Sequence, residues 1–172
     1  MRAVLAEEVA LADELIDPVA DPLLAPLVTP PLHHEQAIGL DLILEGFLLH
    51  HGSPRHVAPA APGRAVLAGD YCYAHGLVRI TQAGDLFVVS ALADLIALGA
   101  GLVAAGERDG LVPLWRATTA AIAARRGPRE AEVETRFRAA QDALRGGVGH
   151  GPLEELAREL PPTPGLAEAL AA

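Results

Sequence analysis

A twenty-residue apolar segment, residues 86–105, contains a single charged residue, Asp94. A helix of this length is nearly long enough to span a bilayer. In lipid, however, an ionised Asp94 near the centre would be costly, and neither flank carries a clear positive-inside signal. The segment therefore predicts the buried central helix of a soluble protein and no transmembrane span, with a membrane helix as the less favoured alternative.

The rest of the chain is aliphatic as well. Of its 172 residues, 51% are hydrophobic but only 3% are aromatic, and Ala and Leu supply most of the apolar residues. Strands favour β-branched and aromatic side chains, whereas Ala and Leu are among the strongest helix formers. The composition therefore predicts an all-α fold, an antiparallel helical bundle that forms one domain.

Prolines divide this domain into four parts. Residues 1–16 are predicted to form an amphipathic N-terminal helix, and the prolines that follow predict an irregular connector over 17–33. A helical core spans 34–146, and a short helical tail spans 147–172. The predicted core helices are 34–51, 64–82, 86–105, 111–126 and 128–144, and the predicted tail helices are 152–160 and 164–172.

Charge and cysteine content limit the partners and the cellular location that we expect for the chain. The 22 acidic residues outnumber the 13 basic ones, which gives a net charge of -9, and no basic block is longer than Arg125-Arg126. This distribution argues against binding to nucleic acid. Cys72 is the only cysteine, and residues 1–16 lack the pattern of a signal peptide, so a cytoplasmic location is predicted.

Asp41 and Glu45 stand four residues apart on the first core helix and therefore share one of its faces. Two carboxylates on one face can hold a divalent ion, and Mg²⁺ in phosphate chemistry typically uses one or two of them together with substrate phosphates. Acids at this spacing are also common on solvated helix faces. The solvated interpretation is preferred, and the pair is kept as a weak metal candidate.

Gly69 and Asp70 interrupt an otherwise apolar helix. Glycine inside a helix costs about 1 kcal/mol relative to alanine, so Gly69 indicates close packing against another backbone. Asp70 then needs a partner. The preferred interpretation is a buried carboxylate that binds an arginine or a helix end, and the alternative is that Asp70 orients polar groups at the mouth of a helical cavity.

Seven histidines raise the hypothesis of a metal site. Ligands must converge on the metal, and adjacent helical residues diverge by about 100°, so a His-His pair offers only one ligand. A site could then combine His50 or His51 with His56 and with His75 or Cys72. Structural or solvent-exposed roles are nevertheless preferred for all of these side chains.

Two segments resemble the trans-isoprenyl diphosphate synthase family. They are EGFLLHHGSPR, residues 45–55, and RAVLAGDYCYAHGLVRI, residues 64–80. In that family a helix ends in a DDxxD motif, a loop follows, and the next long helix carries a (V/L)LAGDYL-like signature, which AVLAGDY matches here. The resemblance covers roughly residues 35–107 and implies a helical isoprenoid-synthase-like fold, truncated because the chain is about half the length typical of the family.

The departures from the family pattern concern its catalytic machinery. Where the DDxxD aspartates belong, this sequence has HHGSP, which begins with His50 and His51, and no second aspartate-rich motif occurs between residues 107 and 172. The family uses both motifs to hold Mg²⁺ against an allylic diphosphate. The resemblance therefore implies a relative without catalytic residues of its own.

Among the family's members, the small non-catalytic component of two-component hexaprenyl and heptaprenyl diphosphate synthases is the most similar. This resemblance implies a partner subunit that supplies both aspartate-rich motifs and their Mg²⁺, so that the chain alone needs no cofactor and has no activity. The small subunit would help to set product chain length, and the product would feed quinone side-chain synthesis. A homodimer is the alternative to this heterodimer.

Two other functions stay open. A stand-alone protein could keep an elongated slot between its helices and bind a prenyl chain or another apolar ligand. A prenyltransferase of reduced size could use Asp41 and Glu45 with Mg²⁺. The residues predicted as ligand or cavity candidates are Asp41, Glu45, His50, His51, Gly69, Asp70 and Tyr73.

Overall fold

The computed structural model describes residues 1–18 and 20–171, with all their side chains except those of Arg2, Val9 and Ala10. Predictions for Val19 and Ala172 lie outside the described residues. The helices are α1 Arg2–Ala6, α2 Val9–Ala12, α3 His34–His51, α4 Pro62–Thr81, α5 Leu86–Ala105, α6 Leu111–Ala123, α7 Glu130–Arg145, α8 Gly151–Ala157 and α9 Leu166–Leu170. The described residues contain no strand, and the predicted all-α fold is confirmed.

The helix at the centre of the molecule is α3. Every residue from Ala37 to Leu49 is buried, and the helix contacts α4, α5, α9 and a 3₁₀ turn at Ala25–Val28. A helix that is covered on all sides needs apolar residues all round. α3 meets this requirement except at Asp41 and Glu45, which are buried in the middle of the helix.

Four glycines form the contact between α3 and α4. Gly39 faces Gly76 and Gly46 faces Gly69, so the two helices are antiparallel, as predicted. A Cβ atom built on Gly39 would lie 2.8 Å from the Gly76 carbonyl oxygen, and a Cβ atom on Gly76 would lie 2.7 Å from the Gly39 carbonyl oxygen. These distances are shorter than van der Waals contact, so glycine is required for this close approach. We call these four residues the glycine seam.

The apolar segment 86–105 forms α5 with the predicted bounds. Asp85 caps its N-terminus by accepting hydrogen bonds from Phe87 N at 3.0 Å and Val88 N at 3.4 Å, and Gly106 ends it with φ 77°. Among the described helices it is the one long and apolar enough to cross a membrane. Only 39% of the most apolar 18-residue stretch of α5 is buried, so the prediction that α5 is the buried central helix is wrong. α3 has that place because it packs against α4, α5 and α9 together.

The antiparallel arrangement does not extend to every helix pair. Phe87 of α5 contacts Phe137 of α7, and Asp94 of α5 forms an ion pair with Arg145 of α7 at 2.7 Å. Phe87 precedes Asp94 in α5, and their partners Phe137 and Arg145 follow in the same order in α7, so the two helices run in the same direction. The intervening α6 makes this possible because it returns the chain between them.

The predicted single helix over residues 1–16 is wrong. α1 and α2 are short, and the chain then becomes extended, with a bridge between Leu15 and Val57. Ile16 N donates to His56 O at 2.9 Å, and Ala58 N donates to Glu14 O at 2.7 Å. These backbone hydrogen bonds to a distant segment replace the bonds of a longer helix. The sequence pattern within residues 1–16 contains no signal for them.

Other boundaries differ from prediction by a few residues. α4 begins at Pro62 rather than residue 64, because proline is well suited to the first turn of a helix. α6 ends at Ala123 instead of residue 126, and α7 and the tail helices α8 and α9 lie inside or beside their predicted ranges. In the connector, Leu24 and Val28 are fully buried against the body.

Candidate functional site

Asp41 holds the connector against α3. Its Oδ1 atom accepts hydrogen bonds from Leu23 N at 2.7 Å and Leu24 N at 3.2 Å, and its Oδ2 atom accepts from Leu24 N at 3.2 Å and Ala25 N at 2.6 Å. These donors lie where the 3₁₀ turn at Ala25–Val28 begins. A helix start leaves N–H groups without acceptors, and Asp41 supplies the acceptors from inside the core.

Glu45 binds the loop after α3 in the way that Asp41 binds the connector. Its Oε1 atom accepts from the backbone N–H groups of Arg55 at 3.1 Å, His56 at 2.8 Å and Val57 at 3.0 Å, and its Oε2 atom accepts from Arg55 N at 3.0 Å. The residue is 1% exposed, so the predicted solvated face is wrong for both acids. The sequence spacing places the two acids on one helix, but two loops distant in sequence determine what they bind.

Burial raises the pKa of the carboxyl groups of Asp41 and Glu45. The backbone N–H donors and the positive charge of Arg55 oppose this rise, because both favour the ionised form. All four carboxylate oxygens accept from backbone groups, which uses them in holding two loops. Within the described residues, no three His, Cys, Asp or Glu side chains are grouped as metal ligands.

His50, Tyr73 and Asp70 meet beside Gly69, at one end of the glycine seam between α3 and α4. The His50 ring stacks on the Tyr73 ring with centroids 5.4 Å apart, and its Nε2 atom lies 3.3 Å from Asp70 Oδ1. A Cβ atom on Gly69 would lie 2.5 Å from His50 Nε2. Gly69 therefore makes room for the His50 ring, and its backbone also approaches α3 as predicted, because a Cβ atom on Gly46 would lie 3.0 Å from the Gly69 carbonyl oxygen.

Asp70 does not occupy the buried position that was the preferred prediction. Its side chain is 67% exposed, whereas that of His50 is 17% exposed. Among the described residues, the partner of Asp70 is thus a histidine at the edge of the α3–α4 contact, and not the predicted arginine or helix end. Burial and the Asp70 charge raise the pKa of Tyr73, which keeps the phenol protonated at neutral pH.

His51 lies at the end of α3, beside the Phe47 ring at a centroid distance of 4.9 Å. Burial lowers the pKa of its imidazole. The carbonyl oxygen of His51 accepts a hydrogen bond from Arg108 Nη2 at 2.8 Å, and Arg108 Nη1 donates to Leu170 O at 3.1 Å. Arg108 thus ties the end of α3 to α9, a link that no sequence motif indicates.

Arg116 is a second arginine that the sequence analysis missed. It is the only charged residue of α6, and this isolation within an apolar helix is a signal that could have identified it. Its guanidinium donates to the carbonyl oxygens of Ala157 at 2.8 Å, Leu160 at 3.0 Å and Pro161 at 3.0 Å. Arg116 therefore caps the end of α8 and holds the tail to the core.

The hypothetical histidine metal site is not formed. His56 is buried beside Glu45, His75 is exposed and stacks on Tyr71 at a centroid distance of 4.1 Å, and His50 stacks on Tyr73. Burial raises the pKa of the Cys72 thiol to about 12, so it stays protonated. The side chains fail to converge because His75 lies on the outer surface of α4, whereas His56 belongs to the loop that Glu45 binds.

His56 gives a prediction about pH. Burial, together with the positive charges of Arg55 and the N-terminus, lowers its pKa to about 4, and its Nδ1 atom has no hydrogen-bond partner. A histidine whose pKa is lower in the folded state stabilises the fold above the unfolded pKa of about 6.5 and loses this contribution as the pH falls towards 4. Between pH 7 and 4, the wild-type free energy of unfolding should fall by up to about 3 kcal/mol more than that of His56→Leu.

Chemical denaturation at several pH values measures this difference. The raised pKa values of Asp41 and Glu45 act in the opposite direction, but they are common to both proteins and cancel in the comparison. His34→Leu, which replaces an exposed histidine at the start of α3, should keep the wild-type pH dependence. An identical pH dependence in wild type and His56→Leu would contradict the prediction.

One apolar cavity lies away from the candidate residues. It has a volume of about 180 Å³ and lies between the N-terminal segment and α4. Its lining consists of Glu8, Leu11, Glu14, Arg64, Leu67, Ala68 and Tyr71. None of the seven ligand or cavity candidates belongs to this lining. We refer to it as the N-terminal cavity.

The candidate residues thus fall into groups with different surroundings. Asp41 and Glu45 hold two loops inside the core, whereas His50, Gly69, Asp70 and Tyr73 meet at one edge of the α3–α4 contact. Searches of protein-family models, of curated proteins and of solved structures find no match to this chain.

Proposed function

We propose that this chain is a non-catalytic, isoprenoid-synthase-like subunit that associates with a catalytic prenyl diphosphate synthase. In this proposal the partner supplies the aspartate-rich motifs and Mg²⁺, and the chain influences product length. The observation that carries the proposal is an uncharged helix surface left exposed on α5. An exposed apolar surface of this kind is typical of a protein–protein contact.

The exposed surface follows one side of α5 along its whole length. We define the α5 outer face as the exposed residues Leu86, Ser90, Ala93, Ala97, Gly101 and Ala104. None of them is charged, although the chain as a whole carries a net charge of -9. Leu86 is 83% exposed, and small residues along the remainder allow another helix to approach closely.

α4 exposes larger apolar side chains of its own. Val66 is 50% exposed, Leu67 is 69% exposed and Val78 is 59% exposed. Single exposed apolar residues are normal on a protein surface, but three large ones on one helix are more than such scatter usually gives. Association through these two helices is therefore the assembly that we favour, and a homodimer is the alternative.

The other two functions have less support. Both Asp41 and Glu45 accept hydrogen bonds from three backbone N–H groups, which competes with Mg²⁺ binding in a small enzyme. The N-terminal cavity, at about 180 Å³, is smaller than the roughly 300–1,000 Å³ of typical pockets for organic ligands. A prenyl-binding protein would need more space than this cavity provides.

Co-expression with candidate synthase subunits from the same source tests the proposal. We expect a complex in light scattering after size exclusion, and a change in prenyl product length when the chain is present. Chain-elongation activity of this protein alone, or the absence of both complex and product change, would contradict it. Self-association without any effect on product length would support the homodimer and remove the synthase partner.

A charge on the α5 outer face should weaken this association. Ala97→Glu places a carboxylate in the middle of the face, where burial against a partner would leave it without a counter-ion. Dissociation should become at least about tenfold easier, corresponding to about 1.4 kcal/mol. Ala139→Glu makes the same change on an exposed position of α7 and should leave association unchanged. Equal effects of the two variants would exclude the α5 outer face as the contact.

A further inference from the structure

The α5 outer face has its largest side chain at one end and an open space near the other. Leu86 is 83% exposed, whereas the Cβ position of Gly101 has no heavy atom of another part of the structure within 4 Å. Beside Gly101 lies a groove of about 220 Å³, formed by the second half of α5 and the end of α7. Its apolar lining includes Leu98, Leu102 and Leu144. The groove can therefore receive a large apolar side chain from another molecule.

The positions of the α5 outer face are also symmetric about the middle of the helix. Leu86 and Ser90 stand four residues apart, and so do Ala97 and Gly101. When two copies of α5 run antiparallel about a two-fold axis beside Ala93, each residue before the axis faces the one equally far after it in the other copy. Leu86 then faces Gly101 at both ends of the contact. A two-fold interface requires such a self-complementary surface.

The groove lies on the flank of α5 that α7 covers. α7 contacts this flank near both ends, through Phe137 at Phe87 and through Leu144 at the groove. A two-fold axis perpendicular to the plane of two antiparallel helices reverses their direction but keeps their corresponding flanks on the same side. The groove of one copy therefore lies next to the first turn of α5 in the other copy, where Leu86 can enter it.

The two ends of α5 carry opposite charges on this flank. Near Leu86, the Arg138 Cζ atom lies 5.7 Å from the centroid of the Phe87 ring, and the Arg138 side chain is 59% exposed. Its ion pair with Glu134 is at the surface, and such pairs contribute little to stability. At the other end, Glu107 is the only charged residue of the groove lining, and no described residue forms an ion pair with it. The antiparallel pair brings Arg138 of one copy towards Glu107 of the other, which favours this orientation over the parallel one.

The middle of the contact has one charged residue, Asp94, and it already has a counter-ion. Asp94 follows Ala93 and therefore lies near the two-fold axis in both copies. Arg145 Nη2 lies 2.7 Å from its Oδ1 atom. The two acids thus enter the dimer as part of ion pairs, and the middle of the contact carries no net charge.

We propose that the chain forms an antiparallel homodimer through the α5 outer face when no synthase is bound. Leu86 of each copy fills the groove beside Gly101 of the other, and Arg138 and Glu107 form an ion pair at each end. This inference rests on the proposed function for the α5 outer face as the contact surface, and a synthase would replace the second copy there. α5 has 20 residues and is about 30 Å long, so one helix pair gives an interface at the low end of the specific range. We expect a dissociation constant on the order of 10 μM.

Sedimentation velocity of the chain alone, over about two decades of concentration around this value, tests the proposal. Leu86→Ala removes the inserted side chain and Gly101→Leu fills the groove, so each should weaken dimerisation at least about tenfold. The double variant exchanges the large and small residues between the facing positions and should recover most of the affinity. Both positions are exposed, so the variants are expected to fold. A wild type that stays monomeric, or a double variant no tighter than Gly101→Leu, would overturn the proposal.

Disulfide cross-linking locates the two-fold axis. Ala93→Cys places a thiol beside the axis in both copies, and mild oxidation should join them into a covalent dimer. The natural Cys72 is buried with a pKa of about 12, so it stays protonated and does not compete. Ala139→Cys puts a thiol on an exposed position of α7 and should cross-link much more slowly. Equal rates for the two thiols would overturn the antiparallel pair.

Self-association is measured without the synthase and product length is measured with it, so the homodimer and the synthase complex are tested separately. A monomeric chain that still changes product length would remove the homodimer and leave the synthase partner. A homodimer without any effect on product length would do the reverse.

Discussion

Replacing Glu45 with alanine is expected to lower the free energy of unfolding by about 3–5 kcal/mol. The substitution removes the acceptor of the N–H groups of Arg55, His56 and Val57, and two of these bonds are buried. Each buried donor left without a partner costs about 1–3 kcal/mol. Urea unfolding of wild type and variant, followed by far-ultraviolet circular dichroism, measures the difference.

Amide substitutions provide a sharper comparison between the two buried acids. Glu45→Gln should cost much less than Glu45→Ala, because Oε1 alone reaches all three donors and a glutamine oxygen can replace it. Asp41→Asn should cost more than Glu45→Gln, because Leu23 N binds Oδ1 whereas Ala25 N binds Oδ2. An asparagine has one acceptor oxygen, so one of these donors would face an amide NH₂ group. The reverse order of the two amide variants would contradict this interpretation.

Gly76→Ala should destabilise the protein by about 1–3 kcal/mol, although alanine has the higher helix propensity. The new Cβ atom would lie 2.6 Å from Ile43 Cγ1 and 2.7 Å from the Gly39 carbonyl oxygen. A side chain can move away from such a contact, but a backbone carbonyl inside α3 moves only if the two helices separate. The glycine seam therefore cannot accept a methyl group without loss of packing along its length.

Gly101→Ala is the matched control for this prediction. Gly101 also lies inside a helix, but no heavy atom of another part of the structure lies within 4 Å of the Cβ position. The substitution should therefore stabilise the protein by about 0.5–1 kcal/mol through helix propensity alone. Thermal or urea unfolding of the two variants side by side checks the opposite signs. A stable Gly76→Ala protein would show that the seam is looser than its geometry implies.

The helices that could be predicted well are those with local signals at both ends. α5 begins after Asp85, which caps it, and ends before Gly106 in a left-handed conformation. α3 has its predicted bounds as well. The N-terminal helix could not be predicted, because residues 14–16 are held in an extended form by two backbone hydrogen bonds, one from Ile16 N to His56 O and one from Ala58 N to Glu14 O. Such bonds depend on a segment about forty residues away and leave no local pattern.

The candidate site, like the helices, could be predicted from the sequence only in part. The spacing of Asp41 and Glu45 correctly indicated one helix, but their burial and their backbone partners depend on the connector and on the loop after α3. Gly69 correctly indicated a close approach, yet the group that fills the space is the His50 ring. Sequence reasoning also missed Arg108 and Arg116, because carbonyl acceptors at distant helix ends have no residue signature.

The sequence by itself determined the helical class and the bounds of α3 and α5, because aliphatic composition and capping residues act within a few positions along the chain. Only the tertiary structure decided which helix is central and what the buried acids bind. α3 became the core because it is covered by α4, α5 and α9, whereas α5, although more apolar, keeps one exposed face. Burial depends on which neighbours cover a helix, and hydrophobicity alone does not specify them.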